Sequence, residues 1–184
     1  FQTLSRLKKK IKTIGKIKSV SLIYGKKDLY MSKKIKNSND LPFYEWLPHP
    51  LSIINNFFKN LKFSITVKNK QLKRGKFVIQ NLGIFFANKK FNVKIYFSNN
   101  YKYKKRNLTI NGSKGSLIFR GYNNYKGYHL DNNKKVNLTV KNDNPVQNLL
   151  NNFKSKFYKK NTRDDRKLIC QTTNQLFDIS TKVG

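Results

Sequence analysis

A histidine four residues after a glutamate, in Glu45-Trp46-Leu47-Pro48-His49, stands at the mouth of an apolar stretch and is the pairing in this chain best suited to moving a proton. An imidazole changes charge near neutral pH, and a carboxylate beside it can orient the ring or bind a hydroxyl. Pro50 biases His49 away from helical geometry, which puts it at the cap of a helix expected over residues 51–61. The positive end of that helix disfavours imidazolium, so a neutral, proton-accepting ring is the expected form. The same two residues also fit a plainer role, a helix cap beside a surface carboxylate.

Other chemistry is sparse. Asn111-Gly112-Ser113-Lys114-Gly115 contains a G-x-x-G that could clamp a nucleic-acid backbone, but that clamp needs flanking helices and the flanks here have strand character. A glycine-enabled hairpin is the better fit. There is no G-x-G-x-x-G and no P-loop, so the chain lacks the usual dinucleotide cradle. Tyr96, Tyr101, Tyr103, Tyr122, Tyr125 and Tyr128 lie among lysines and could stack bases or sugars, or simply be half-exposed sheet residues. His129 reads as a surface strand residue and Cys170 as inert core on a late helix. One cysteine and two histidines exclude a disulfide framework, a thiolate zinc cluster and a three-histidine metal site.

The elements that must position these residues follow from periodicity. Leu4, Leu7, Ile11 and Ile14 form the apolar stripe of a helix over 3–14, which Gly15 ends. A strand follows at 17–24. The helix over 51–61 carries Leu51, Ile54, Phe57, Phe58 and Leu61 on one side, with Pro50 suited to its first turn. Strands are expected at 63–67, 77–86, 93–98, 108–111, 116–119 and 136–140, with turns at Asn99-Asn100, Asn111-Gly112 and Asn123-Asn124. Helices close the chain, one over 145–158 and one capped by Thr162. This order predicts an α+β fold: an open, mostly antiparallel sheet of six or more strands with helices packed on one face, as one domain over 1–184.

Charge bounds the partners. The 184 residues carry 40 Lys plus Arg against 8 Asp plus Glu, a formal charge of +32. Such a chain gains affinity for polyanions by counterion release, and a non-enzymatic basic sheet binding RNA or DNA is the rival reading. Yet 34 of the cations are lysines and six are arginines, beside 25 asparagines. That is the signature of A/T-rich codons rather than of base readout, which favours arginine, so the composition argues against nucleic acid. No apolar run approaches the length of a membrane span, and the expected location is the cytoplasm.

Taken together, Glu45-Trp46-Leu47-Pro48-His49-Pro50-Leu51-Ser52 resembles the D-x-G-x-H-x-(L/I)-(S/D) segment of the Gfo/Idh/MocA family, the relatives of glucose–fructose oxidoreductase and inositol dehydrogenase. The resemblance extends in family order to Ile14-Gly15-Lys16-Ile17, to Ile110-Asn111-Gly112-Ser113-Lys114-Gly115-Ser116-Leu117, and to Pro145, Leu149, Leu150 and Phe153. It implies the family's C-terminal domain, which binds substrate and oligomerises through its exposed sheet face. An N-terminal Rossmann domain upstream of Phe1 would hold most of the NAD or NADP. By position, His49 falls on the histidine that helps deprotonate a substrate hydroxyl, and Glu45 on its partner aspartate. Glu45 for Asp and Leu47 for Gly depart from the pattern. The substrate class implied is a sugar, polyol or nucleotide-sugar derivative, and a degenerate, non-catalytic member is also compatible.

Overall fold

The computed structural model describes residues 2–27, 30–31, 46–58, 64–121, 126–131, 134–141, 150–151 and 166–183. The elements are α1 (Gln2–Lys9), β1 (Ile17–Lys27), β2 (Tyr30–Met31), α2 (Pro48–Phe57), β3 (Ser64–Arg74), β4 (Phe77–Ala87), β5 (Asn92–Ser98), β6 (Asn100–Gly112), β7 (Gly115–Gly121), β8 (Lys126–Asp131), β9 (Lys134–Asn137) and α3 (Arg166–Ser180). The nine described strands form one sheet in the order β2-β4-β5-β1-β6-β7-β8-β9, with β3 on the other side of β4 from β2 and β5. β1 runs parallel to β5 and antiparallel to β6, and the remaining described pairs are antiparallel. This is the expected α+β class.

Strict alternation makes one face of the sheet apolar. β5, with Val93, Ile95 and Phe97 inward and Asn92, Lys94 and Tyr96 outward, is the clearest case. The register aligns these inward residues into three rows that cross five strands. The first is Phe86–Val93–Val20–Ile110–Leu117, the second Ile84–Ile95–Leu22–Leu108–Phe119, and the third Leu82–Phe97–Tyr24–Arg106–Gly121. Leu4 and Leu7 of α1, Leu51 and Ile54 of α2 and Ile179 of α3 join the same core cluster, so the helices cover this one face. Burying a side chain such as Phe86, 1% exposed, contributes about 1.5–3 kcal/mol.

Two local devices hold the frame. Gly15, at φ +73°, ends the turn after α1, and the hairpin after β6 docks there, with Lys114 N donating to the Ile14 carbonyl at 2.9 Å and Ser113 N to that of Lys16 at 2.9 Å. A Cβ on Gly112 would lie 2.1 Å from the Ile14 carbonyl oxygen, so no other residue fits. The G-x-x-G thus serves as a docked hairpin turn. Where β5 ends, buried Asn99 continues the ladder with its side chain: Gln80 N donates to Asn99 Oδ1 at 2.8 Å, and Asn99 Nδ2 donates to the Val78 carbonyl at 3.0 Å.

Several expectations change. β3 runs to Arg74 and β6 begins at Asn100, beyond their expected bounds, because lysine-rich segments carry strand pairing without an apolar alternation. Lys126–Asp131 and Lys134–Asn137 form two strands where one was expected at 136–140. α2 starts at Pro48, before the expected cap. His129 is buried rather than on the surface, because it pairs with inward-facing Leu117. Cys170 is exposed rather than core. α3 turns Thr172 and Ile179 inward and leaves Ile169 and Phe177 exposed. The expected helix over 145–158, the Thr162 cap, the Asn123-Asn124 turn and Glu45 lie largely or wholly outside the described residues.

Candidate functional site

The three rows differ in chemistry. The first two are aliphatic and aromatic throughout, whereas the third brings Tyr24 and Arg106 to the end of the core where β1 and β5, the parallel pair, reach their C-terminal ends. In open α/β sheets ligands collect outside the carboxyl ends of such strands. α2 delivers His49 to this end. Pro48 and Pro50 occupy its first turn, where their missing N–H groups cost no hydrogen bond. His49 is therefore a helical residue rather than the cap. The Ser52 hydroxyl donates to the His49 carbonyl at 2.8 Å, and the cap position, Leu47, makes no side-chain capping bond.

Around His49 the structure assembles an aromatic and cationic cluster. The Tyr24 ring lies near-parallel to the imidazole, at 14° and 6.4 Å between centroids. The Arg106 guanidinium carbon sits 4.8 Å from the centroid of the same Tyr24 ring. Trp46 packs edge-on to Phe97 at 5.6 Å, closing the floor between α2 and β5. His49 is itself an exposed residue, yet enough protein crowds its ring that partial burial lowers its proton affinity, and the Arg106 charge lowers it further. The result is a solvent-reachable, neutral imidazole beside a fixed cation. Such a pair can take a proton from a hydroxyl while the cation favours the oxyanion left behind.

α2 is held in place from its far side. Asn55, fully buried, donates to Thr172 Oγ1 at 3.1 Å and to Gln175 Oε1 at 2.9 Å, and accepts from Gln171 Nε2 at 3.1 Å. Lys8 Nζ donates to both oxygens of Asn56, tying α1 to the same helix. Tyr24, Arg106 and Asn55 did not stand out as site residues in the sequence. For Arg106 a signal existed: it is one of six arginines where lysine is the prevailing cation.

The remaining candidates dissolve or move. Tyr96 packs against Phe85 at 6.1 Å, while Tyr128 lies under Lys135 Nζ at 4.1 Å. β5 and β8 are four strand positions apart, roughly 19 Å at ~4.8 Å per strand, so Tyr96 and Tyr128 share no stacking surface. Tyr103 stands exposed on β6 between them, and Tyr122 and Tyr125 lie outside the described residues. Tyr101 instead fills the space left by the missing side chain of Gly25. A hollow of about 350 Å³ opens at the end of α3 against β3, lined by Ser64, Ile65, Asp178, Thr181 and Lys182, and shares no residue with the His49 cluster. Among the described residues no group of three or more His, Cys, Asp or Glu could hold a metal, and no helix is long and apolar enough to cross a membrane. Nor, among the described residues, is there a strand–glycine-loop–helix cradle for a dinucleotide, since neither Gly15 nor Gly75, the described glycines with positive φ, joins a strand to a following helix.

No protein-family model and no curated protein matches the chain by sequence. By shape it matches solved structures closely. Biliverdin reductase from Synechocystis, determined with biliverdin and NADP⁺, superposes with a TM-score of 0.74 at 10% identity over 98% of this chain. An aldose–aldose oxidoreductase from Caulobacter crescentus, complexed with glycerol, gives 0.71 at 9% identity over 98%. The transcriptional regulator Gal80p from Kluyveromyces lactis gives 0.72 at 16% identity over 98%. The chain spans 58%, 58% and 55% of those three structures. At such low identities the likeness is one of fold: this chain has the fold of the C-terminal part of Gfo/Idh/MocA-type oxidoreductases.

Proposed function

We propose that this chain is the substrate-binding domain of an NAD(P)-dependent oxidoreductase acting on a sugar, polyol or nucleotide-sugar derivative, with His49 as the proton acceptor. The observation that carries the reading is the seat of His49: an exposed imidazole, held neutral, beside the Arg106 cation at the end of the third row. The nicotinamide would take the hydride and would be bound by a nucleotide-binding unit outside this chain, since the described residues form no cradle for it. His49 would accept the hydroxyl proton, Arg106 would favour the alkoxide, and Glu45 would orient the imidazole or bind a neighbouring hydroxyl. The fold shared with an aldose–aldose oxidoreductase supports this class of substrate.

The open face of the sheet supports assembly. Its central strands β1, β6 and β7 present two uncharged rows, Ser19–Asn111–Ser116 and Ser21–Thr109–Ile118, flanked by the row Ile23–Asn107–Arg120, in a chain where 26% of residues are charged. We read this face as the contact between copies of a cytoplasmic homo-oligomer. An Ile118→Lys variant should then sediment as a smaller species with unchanged circular dichroism.

The function is tested on the full-length protein supplied with NAD⁺ or NADP⁺ and a panel of sugars and polyols. His49→Ala is expected to lower turnover about 10²–10⁴-fold, the usual contribution of a positioned acid or base. Normal turnover in that variant removes His49 from the chemistry. The likeness to Gal80p keeps a regulatory, non-catalytic role in view. Sugar or nucleotide binding without any turnover across the panel would favour it.

A further inference from the structure

We propose that Arg106 is a positioning residue for His49, acting through Tyr24, whose ring neighbours both. Tyr24 and Arg106 are direct cross-strand partners, and the corresponding pairs in the two rows beneath are Leu22–Leu108 and Val20–Ile110. The guanidinium therefore occupies a place that the pattern of the sheet would give to an aliphatic side chain, and it does so in the row that meets α2. Charge alone would not require arginine in a chain with 34 lysines. What arginine adds is a flat, delocalised group that lies over an aromatic ring, as this one does at 4.8 Å.

Pinning that ring matters because Tyr24 is buried, 4% exposed, and its plane lies within 14° of the imidazole plane. An imidazole on the first turn of a helix, with no capping side chain to restrain that turn, takes its orientation from the ring it faces. Arg106 thus acts twice: through the plane of Tyr24 on the ring's attitude, and through space on its charge. Among the described residues, the titratable and charged groups set against His49 are Tyr24 from β1 and Arg106 from β6, and the first turn of α2 carries no acid. The significance for catalysis rests on the proton-acceptor reading above, whereas the coupling between Arg106 and His49 does not.

The test is a titration of the His49 imidazole by NMR in the intact chain, so it needs no substrate and its outcome is independent of turnover. Arg106→Gln should move the His49 midpoint upward, since a cation is removed. Arg106→Lys should keep the midpoint near that of the parent while shifting the imidazole C–H resonances, because the charge stays and the stack is lost. Tyr24→Leu should shift those resonances further. A parent-like midpoint in Arg106→Gln, or unmoved resonances in both Arg106→Lys and Tyr24→Leu, overturns the proposal. Should Arg106→Gln fail to fold, Arg106→Lys and Tyr24→Leu carry the test, and His49 resonances that move in neither variant sink the idea.

Discussion

The two histidines of this chain stand on the same covered face of the sheet and live by opposite rules. His129, on β8, is 7% exposed and extends the first row beyond its partner Leu117. Its Nε2 lies 3.3 Å from the Thr13 hydroxyl, which already donates to the Lys10 carbonyl at 2.7 Å. The contact ties the sheet to the turn that follows α1 and makes the ring a structural link. His49 is exposed, carried on a helix, and governed by a cation and an aromatic plane. Burial with a partner makes a histidine part of the core; partial exposure beside a charge makes one available for chemistry. In this molecule the sheet register assigns the two roles.

The strongest way to break that contrast is to damage the row that ends at His129. Phe86→Ala removes one of the largest fully buried side chains and should cost about 3–5 kcal/mol in denaturant unfolding. The His49 titration should stay unchanged, because Phe86 and Tyr24 occupy different rows. If His49 shifts as well, the two regions are one mechanical unit and the contrast fails.

The alternation that places Phe86 is also what made the fold legible. Period-two patterns in β4 and β5 specify which residues face the helices, and the stripe Leu4, Leu7, Ile14 specifies the inner side of the first helical segment. Pattern reading stops where strands carry lysine. Lys68–Arg74 and Asn100–Arg106 lack apolar alternation; the first is a strand because β4 pairs with it residue by residue, the second because β1 pairs with Asn100, Lys105 and Arg106 across a register shift. His129 escapes pattern reading for the same reason: its same-face neighbours Gly127 and Asp131 give no apolar signal, and only pairing with Leu117 turns it inward. At the site, Pro50 points to a helix start but places His49 one step outside it, whereas the helix begins at Pro48 and takes His49 in. Tyr24 and Arg106 reach His49 through cross-strand register, which sequence spacing does not encode.

Asn55 offers a cut at intermediate scale. Asn55→Ala leaves Thr172, Gln171 and Gln175 to lose their bonds to α2, and should cost about 1–3 kcal/mol, the usual penalty for orphaned buried polar groups. Unlike Phe86→Ala, it should also disturb the His49 resonances, since α2 carries that ring. Stability loss with undisturbed His49 resonances would show that α2 needs no anchoring from α3.

Direct replacement sharpens the comparison further. His129→Leu keeps a side chain of similar volume but removes the bond to Thr13, and should cost about 0.5–1.5 kcal/mol. His49→Ala, at an exposed position, should change stability by no more than about 0.5 kcal/mol. Urea midpoints of the two variants measured side by side give the answer, and equal losses would place both histidines in the same structural class.

The smallest expected effect is the pH dependence that belongs to His49. Partial burial first, and Arg106 second, hold its proton affinity below the ordinary value of 6.5 in the native protein. In the unfolded chain the ring titrates at that ordinary value. Between the two midpoints the unfolded state therefore binds more protons than the native one, so stability falls as the pH drops through this window and is indifferent to His49 above it. The ring's exposure keeps the effect small, because solvent screens the Arg106 charge. Comparing urea midpoints at about pH 7.5 and about pH 5 in the parent and in His49→Ala isolates it from the carboxylates, which both proteins share. The parent should lose slightly more stability on acidification than the variant. A variant that loses as much as the parent would mean that His49 titrates alike folded and unfolded, and with that the physical basis for a proton acceptor poised by Arg106 would be gone.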